Sequence, residues 1–200
     1  MNIFEKGLST YLSTEQVARI QSKQIGIGGA GGLGSNTAVL LARCGFCKFI
    51  LIDSDTVEPS NLNRQAFFLD DIEKNKIDAL AARLRSINPD VLCECYRTTW
   101  QPGLDADPFL SCDILVEAFD TAETKAAFID HYSDKVPYIV SGNGMAGISG
   151  PPLSVQKRRN VFIIGDKQTE ASDTNPPMAP RVTACAAIMA ETVLKIVLND

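Results

Sequence analysis

The sequence predicts a single α/β domain over 1–200: a mainly parallel sheet flanked by helices, with antiparallel strands and a closing helix near its C-terminal end. Two observations carry this. Short apolar runs at 48–53, 113–118 and 137–141 alternate with longer segments of helical periodicity, the pattern of strands covered by crossover helices. A glycine-rich turn also sits between the first such run and the helix after it.

Each element has its own local reason. Ser13 reads as an N-cap, closed by Gln16 in a capping box, with Val17 and Ile20 on the inward face. A first strand runs over 25–28, and a helix follows over 35–43, with Ala38, Leu41 and Ala42 as packing positions and Gly45 as its stop. The run 48–53 is apolar enough for a strand buried on both faces. A polar loop over 54–69 leads to a helix over 72–87, ended by Asn88-Pro89. A third strand over 91–96 alternates weakly. Pro102 and Pro108 mark 101–110 as loop. A strand over 113–118, a helix over 121–132 and a strand over 137–141 with Pro137 at its first position follow. Segments 153–156 and 161–164 then read as antiparallel strands around the turn Lys157-Arg158-Arg159-Asn160. A long polar loop over 165–180 precedes the last helix.

Composition narrows the function classes. The chain has 200 residues, 45% apolar and 22% charged, with a formal net charge of -5, the wrong sign for a general nucleic-acid binder. Six cysteines are too few for a disulfide scaffold, and their spacing suits reduced, packed thiols; no structural zinc is expected. The first residues lack a secretory pattern. The longest apolar stretch, 182–198, is broken by Thr183, Glu191 and Lys195 and reads as a buried helix rather than a membrane span, so a cytoplasmic protein is expected. The one histidine, His131, falls near a helix end and reads as a solvated or helix-ending residue, so the sequence offers little for proton relay.

The chemistry gathers after the first strand. Gly29-Ala30-Gly31-Gly32-Leu33-Gly34 fits a Rossmann-like nucleotide-binding turn: Gly29 permits the tight bend, Gly31 lets the backbone approach a phosphate, and Gly34 lets helix and strand pack closely. Gly32 lies inside the same turn. Asp53 ends the next strand, where a carboxylate can take ribose hydroxyls. The turn does not separate NAD from ATP. The following segment, Asp53-Ser54-Asp55-Thr56-Val57-Glu58-Pro59-Ser60-Asn61-Leu62-Asn63-Arg64-Gln65, places Arg64 beside the crevice, and Lys76 starts the helix beyond. Both cations suit a triphosphate. Asp120, past the fourth strand, suits a magnesium ion shared with phosphates, or with Thr121 a plain helix cap.

These residues together resemble the ThiF/MoeB/HesA family, bacterial relatives of ubiquitin-activating enzymes, and most of all its short ThiF sulfur-carrier adenylyltransferases of thiamine biosynthesis. The segment Met178-Ala179-Pro180-Arg181-Val182 adds to the likeness with that short type. The resemblance implies ATP in the crevice, with Asp53 on the ribose, Asp55, Asn61 and Gln65 in the nucleotide site, Arg64 and Lys76 on the phosphates, and Asp120 on magnesium. It implies that a ubiquitin-like sulfur carrier with a Gly-Gly C-terminus presents its carboxylate to the α-phosphate, and that the protein is a homodimer. The loop over 165–180 is expected to cross the carrier tail, near Gly142-Asn143-Gly144. The chain departs from longer relatives in lacking two C-x-x-C pairs, an N-terminal arginine motif, and a cysteine in the 165–180 loop; Cys185 reads as a packed thiol. Other readings are activation of another carboxylate or a tRNA base, a non-catalytic scaffold for a ubiquitin-like partner, and an NAD-dependent enzyme.

Overall fold

A computed structural model describes residues 2–103 and 107–199; residues 104–106 of the predicted 101–110 loop lie outside them. The elements run α1 (Ile3–Leu8), α2 (Thr14–Ser22), β1 (Gln24–Gly28), α3 (Gly32–Arg43), β2 (Lys48–Ile52), α4 (Lys76–Ile87), β3 (Leu92–Tyr96), β4 (Ile114–Glu117), α5 (Ala122–Tyr132), β5 (Tyr138–Gly142), β6 (Ser154–Arg158), β7 (Val161–Gly165) and α6 (Ala179–Asn199). The seven strands form one sheet in the order β3-β2-β1-β4-β5-β7-β6. Every pairing is parallel except that of β6 with β7.

The strand order reverses beside β1, where consecutive crossovers turn in opposite directions and leave a crevice at the carboxyl ends. Register sharpens it: Gly28 pairs with Ile52 on one side and Glu117 on the other, so the loops leaving β1, β2 and β4 open at one level. Glu117 in turn pairs with Ser141.

Side-chain alternation explains why helices cover both faces. Ile25, Leu51, Val116 and Val140 point to one face, where Leu41 of α3, Leu80 of α4 and Met189 of α6 bury them. Ile50, Ile52, Leu115 and Ile139 point to the other, under Trp100, Phe109, Phe128 and Tyr132. Each fully buried side chain of this size contributes about 1.5–3 kcal/mol. Trp100 and Phe128 meet edge to face, with centroids 4.9 Å apart. Where β1 meets that aromatic face it carries Gly26 and Gly28, because a Cβ there would fall 2.5 Å from Leu115 or 2.7 Å from Phe119.

Several predicted boundaries shift for physical reasons. α1 was not expected: it is short, buries no residue and so shows no apolar period; an Asn2–Glu5 capping box holds it. The helix expected over 72–87 starts at Lys76, because 69–71 forms a 3-10 turn and Asn75 bridges to Thr56. Lys157 and Arg158 lie on β6, not in its turn, which tightens to Arg159 and Asn160. His131 ends α5 as expected, in its last turn, but is half-buried rather than solvated, packed against Trp100 and Tyr132 with Nε2 3.5 Å from Asp107. α6 is long and apolar enough to cross a membrane by length and composition, yet half of its most apolar stretch is buried, against a core that includes Leu41 and Ala42 of α3.

Candidate nucleotide site

The glycine turn is built by close backbone approach. Gly29 has φ +88°, a left-handed value that glycine adopts without strain, and a Cβ there would lie 2.7 Å from the Ala118 carbonyl. A Cβ on Gly34 would fall on the carbonyl oxygen of Gly29, so α3 can leave the turn only as glycine at this position. Gly31 differs: its Cβ would meet only Nε2 of Gln65, at 4.0 Å, so the backbone above it is bare. A Cβ on Gly32 would press on Val182 and approach the stem of Arg64.

Asp53 closes this turn onto β2. Its Oδ2 accepts from the Ala30 amide at 2.6 Å and its Oδ1 from the Asp55 amide at 2.8 Å. Burial pushes the Asp53 carboxyl above its ordinary value, against the opposing pull of those two amides and of Lys76. Lys76 is buried at the first turn of α4 and donates to Oδ2 of the exposed Asp55 at 2.7 Å. Asp53, Asp55, Lys76 and the glycine turn therefore form one connected group. Arg64 and Gln65 flank the turn on another side. Arg64 Nη1 donates to the Ser60 carbonyl at 3.0 Å and to Asn63 Oδ1 at 2.8 Å. Gln65 is buried, and among the described residues its Oε1 has no hydrogen-bond partner, an acceptor left for a ligand donor. Asn61 faces its own turn, accepting from the Glu58 amide at 3.1 Å. Asp120 follows Phe119, whose amide lies against Gly29, and is exposed; no hydrogen bond or ion pair joins it to Lys76 or Arg64 among the described residues.

Two arrangements have no local signature in the sequence strong enough to predict them. Glu117, fully buried at the end of β4, accepts from the Phe119 amide at 2.8 Å, from Ser141 Oγ at 2.5 Å and from Lys125 Nζ at 3.1 Å, while Lys125 also donates to the Gly142 carbonyl at 2.9 Å. This cluster ties the β4 exit to the β5 exit. Its sequence signal is a glutamate inside an apolar strand, which demands a cation. Asp166, at the end of β7, accepts from Arg181 Nη2 at 2.5 Å and from the Gln168 and Thr169 amides, and Arg181 also donates to the Pro151 carbonyl. In the sequence Arg181 stands only within the Met178–Val182 motif. The segment they bracket is not free: the Gly147 amide donates to the Pro176 carbonyl at 3.0 Å, and Asn63 Nδ2 to the Pro177 carbonyl at 3.2 Å.

The crevice fits a nucleotide: a bare glycine backbone at the start of α3, a carboxylate for hydroxyls, two cations and an unsatisfied buried acceptor. For magnesium the fit is narrower. No group of three or more His, Cys, Asp or Glu side chains able to hold a metal occurs among the described residues, so Asp120 suits an ion whose other ligands are phosphate and water.

The ThiF family profile matches residues 7–200. The chain belongs to the ThiF family. Among curated proteins, this ThiF-family chain is 34% identical over 189 residues to ubiquitin-like modifier-activating enzyme 5 of Drosophila grimshawi, covering 88% of the chain and 48% of that protein. It is 47% identical over 145 residues to the same enzyme of Drosophila persimilis, covering 66% of the chain and 38% of that protein. The chain thus spans about half or less of the curated relatives it matches. Among solved structures, E. coli tRNA N6-threonylcarbamoyladenosine dehydratase in complex with AMP superposes with a TM-score of 0.86 at 21% identity, covering 97% of this chain and 93% of that one. E. coli MccB with ATP superposes at 0.69 and 21% identity, covering 91% and 58%. At that identity the structural likeness establishes the shared fold.

Proposed function

We propose that this protein binds ATP in the β1–β4 crevice and activates a substrate carboxylate as its acyl-adenylate, releasing pyrophosphate. The observation that carries the reading is the linked group of glycine turn, Asp53, Asp55 and Lys76, flanked by Arg64 and Gln65. In this reading the Gly31 backbone approaches a phosphate, Asp53 takes the ribose hydroxyls, and Gln65 Oε1 accepts from the nucleotide. Lys76 turns from the Asp55 carboxylate, and Arg64 from the neutral oxygens of Ser60 and Asn63, to the phosphates, whose greater negative charge draws both cations. A substrate carboxylate oxygen attacks the α-phosphorus and the bond to the bridging oxygen of pyrophosphate breaks. The nucleophile is already an anion, so no general base is required; alignment and cationic clamps supply the catalysis. That agrees with a site without histidine: the one His131 sits in the last turn of α5, remote from the carboxyl edge. A magnesium ion on Asp120 would screen the phosphate charge as pyrophosphate forms.

The substrate we propose is the C-terminal glycine carboxylate of a ubiquitin-like protein. The Drosophila relatives support it, as does the glycine-rich segment after β5 beneath the 166–178 segment. A sulfur carrier of thiamine biosynthesis is one member of this class. It rests on sequence motifs alone, since the similar proteins named above are a modifier-activating enzyme, a tRNA-directed enzyme and MccB. A second reading, a carboxylate on a modified tRNA base, is favoured by the full-length likeness to the dehydratase. The net charge of -5 weighs against it. The family resemblance makes a symmetric homodimer part of the proposal.

Pyrophosphate exchange tests these readings. With magnesium-ATP and Gly-Gly-ended ubiquitin-like proteins, wild type is expected to exchange label, and Arg64→Ala to lose at least about a hundredfold, as removal of a transition-state clamp does. Exchange driven by tRNA and not by any such protein would transfer the assignment to the second reading. Undiminished exchange by Arg64→Ala would remove that residue from the mechanism.

A further inference from the structure

The segment 166–178 links β7 to α6, is fastened near both ends, and meets the candidate site at Asn63. The Asp166–Arg181 ion pair holds its two roots together. Pro176 is fixed by the Gly147 amide. Beyond it the Asn63 side chain takes hold: Nδ2 donates to the Pro177 carbonyl at 3.2 Å and lies 3.7 Å from Met178 Sδ. The other end of the same amide is engaged elsewhere. Asn63 Oδ1 accepts from Arg64 Nη1 at 2.8 Å, and that nitrogen also donates to the Ser60 carbonyl at 3.0 Å. Asn63 is itself exposed and fills no core position. One short side chain therefore connects the guanidinium assigned to the phosphates with the backbone of this segment.

We propose that Asn63 is a positioning residue that couples the engagement of phosphate by Arg64 to the seating of the 166–178 segment. This rests on the adenylylation reading, because it takes Arg64 as a phosphate ligand. Phosphate carries full negative charge and can take both arms of the guanidinium, whereas the present acceptors on Ser60 and Asn63 are single neutral oxygens, so ATP draws Arg64 away from them. Asn63 Oδ1 then loses its donor, the amide is free to rotate, and the hold on Pro177 weakens. The segment loosens when ATP is in place and an incoming tail must pass beneath it. Linkage makes the effect mutual: a tail that displaces the segment favours the ATP-engaged setting of Arg64. The segment thus acts on the order of events, with nucleotide before acceptor.

Backbone hydrogen exchange on the full chain, with and without magnesium-ATP, reads this directly, while calorimetry on the same samples measures ATP affinity. In wild type, peptides spanning 166–178 are expected to exchange about threefold faster with ATP bound, the scale of one lost hydrogen bond. Asn63→Ala is expected to exchange at the faster rate already without ATP, to show no further change on adding it, and to keep ATP affinity within about threefold. Asn63→Asp retains an oxygen for Arg64 but no N–H for Pro177, and the same loss of response is expected. A merely structural role would alter the resting rate and leave the ATP response intact, which would overturn the coupling. So would a wild-type segment that ignores bound ATP, with the adenylylation reading left standing. Failure of wild type to bind ATP at all would overturn both.

Discussion

Asp166 is a buried and Asp53 a half-buried carboxylate on loops at the carboxyl edge of the sheet, and their surroundings push them in opposite directions. Burial raises the Asp166 carboxyl, but the Thr169 and Gln168 amides, the Thr169 hydroxyl and the Arg181 charge outweigh it and hold the group below 3.8. For Asp53 burial prevails over the Ala30 and Asp55 amides and Lys76, and the group stays above 3.8. The signs follow from linkage. Asp166 binds its proton less readily folded than unfolded, so its stabilisation is complete above the unfolded value and is lost as pH falls through the folded one. Asp53 costs stability while ionised, and that cost is relieved on acidification. Asp166→Asn is therefore expected to lower stability at pH 7 by about 3 kcal/mol, because Arg181 is left without its counter-charge. It should also flatten the decline of stability below about pH 4. Urea unfolding from pH 7 to pH 3 checks both; a variant that declines as steeply as wild type would place the acid-sensitive group elsewhere.

At the scale of elements, the β1–α3 turn separates two kinds of glycine. The Cβ of an alanine at Gly34 would occupy the Gly29 carbonyl oxygen, and backbone cannot yield as a flexible side chain does. Gly34→Ala is expected to lose cooperative unfolding or soluble expression altogether. Gly31→Ala meets only the Gln65 amide at 4.0 Å, so it should fold with near wild-type stability, within about 1 kcal/mol, and yet bind ATP weakly because the methyl stands where a phosphate would approach. Thermal unfolding and calorimetry on the two variants distinguish the roles. This turn was legible in the sequence because its steric demand falls on consecutive residues. The buried strands were legible for the same reason, as local apolar runs. α1 was not, since a helix that buries nothing leaves no period. The start of α4 was hidden by the Thr56–Asn75 bridge. Glu117 with Lys125, Asp166 with Arg181, and Asn63 with Pro177 are partnerships between positions that local patterns do not connect, and only the folded chain brings them together.

Taken whole, the molecule places its nucleotide crevice at the reversal of strand order and lets the later strands extend the sheet toward a second structure, the segment between β7 and α6. Both ends of that segment are anchored independently: β7 lies in the sheet between β5 and β6, and α6 buries Val182, Cys185, Met189 and Val193 in the main core. Covalent continuity between them is therefore dispensable for the fold. Lys167 is exposed and left-handed, at φ 61°, just past the root of the bridge. A single tryptic cut after it should yield two polypeptides that still elute together from a sizing column and melt as one body. The severed strand would swing open on one side, and the nicked protein would offer a doorway where the intact one has a belt.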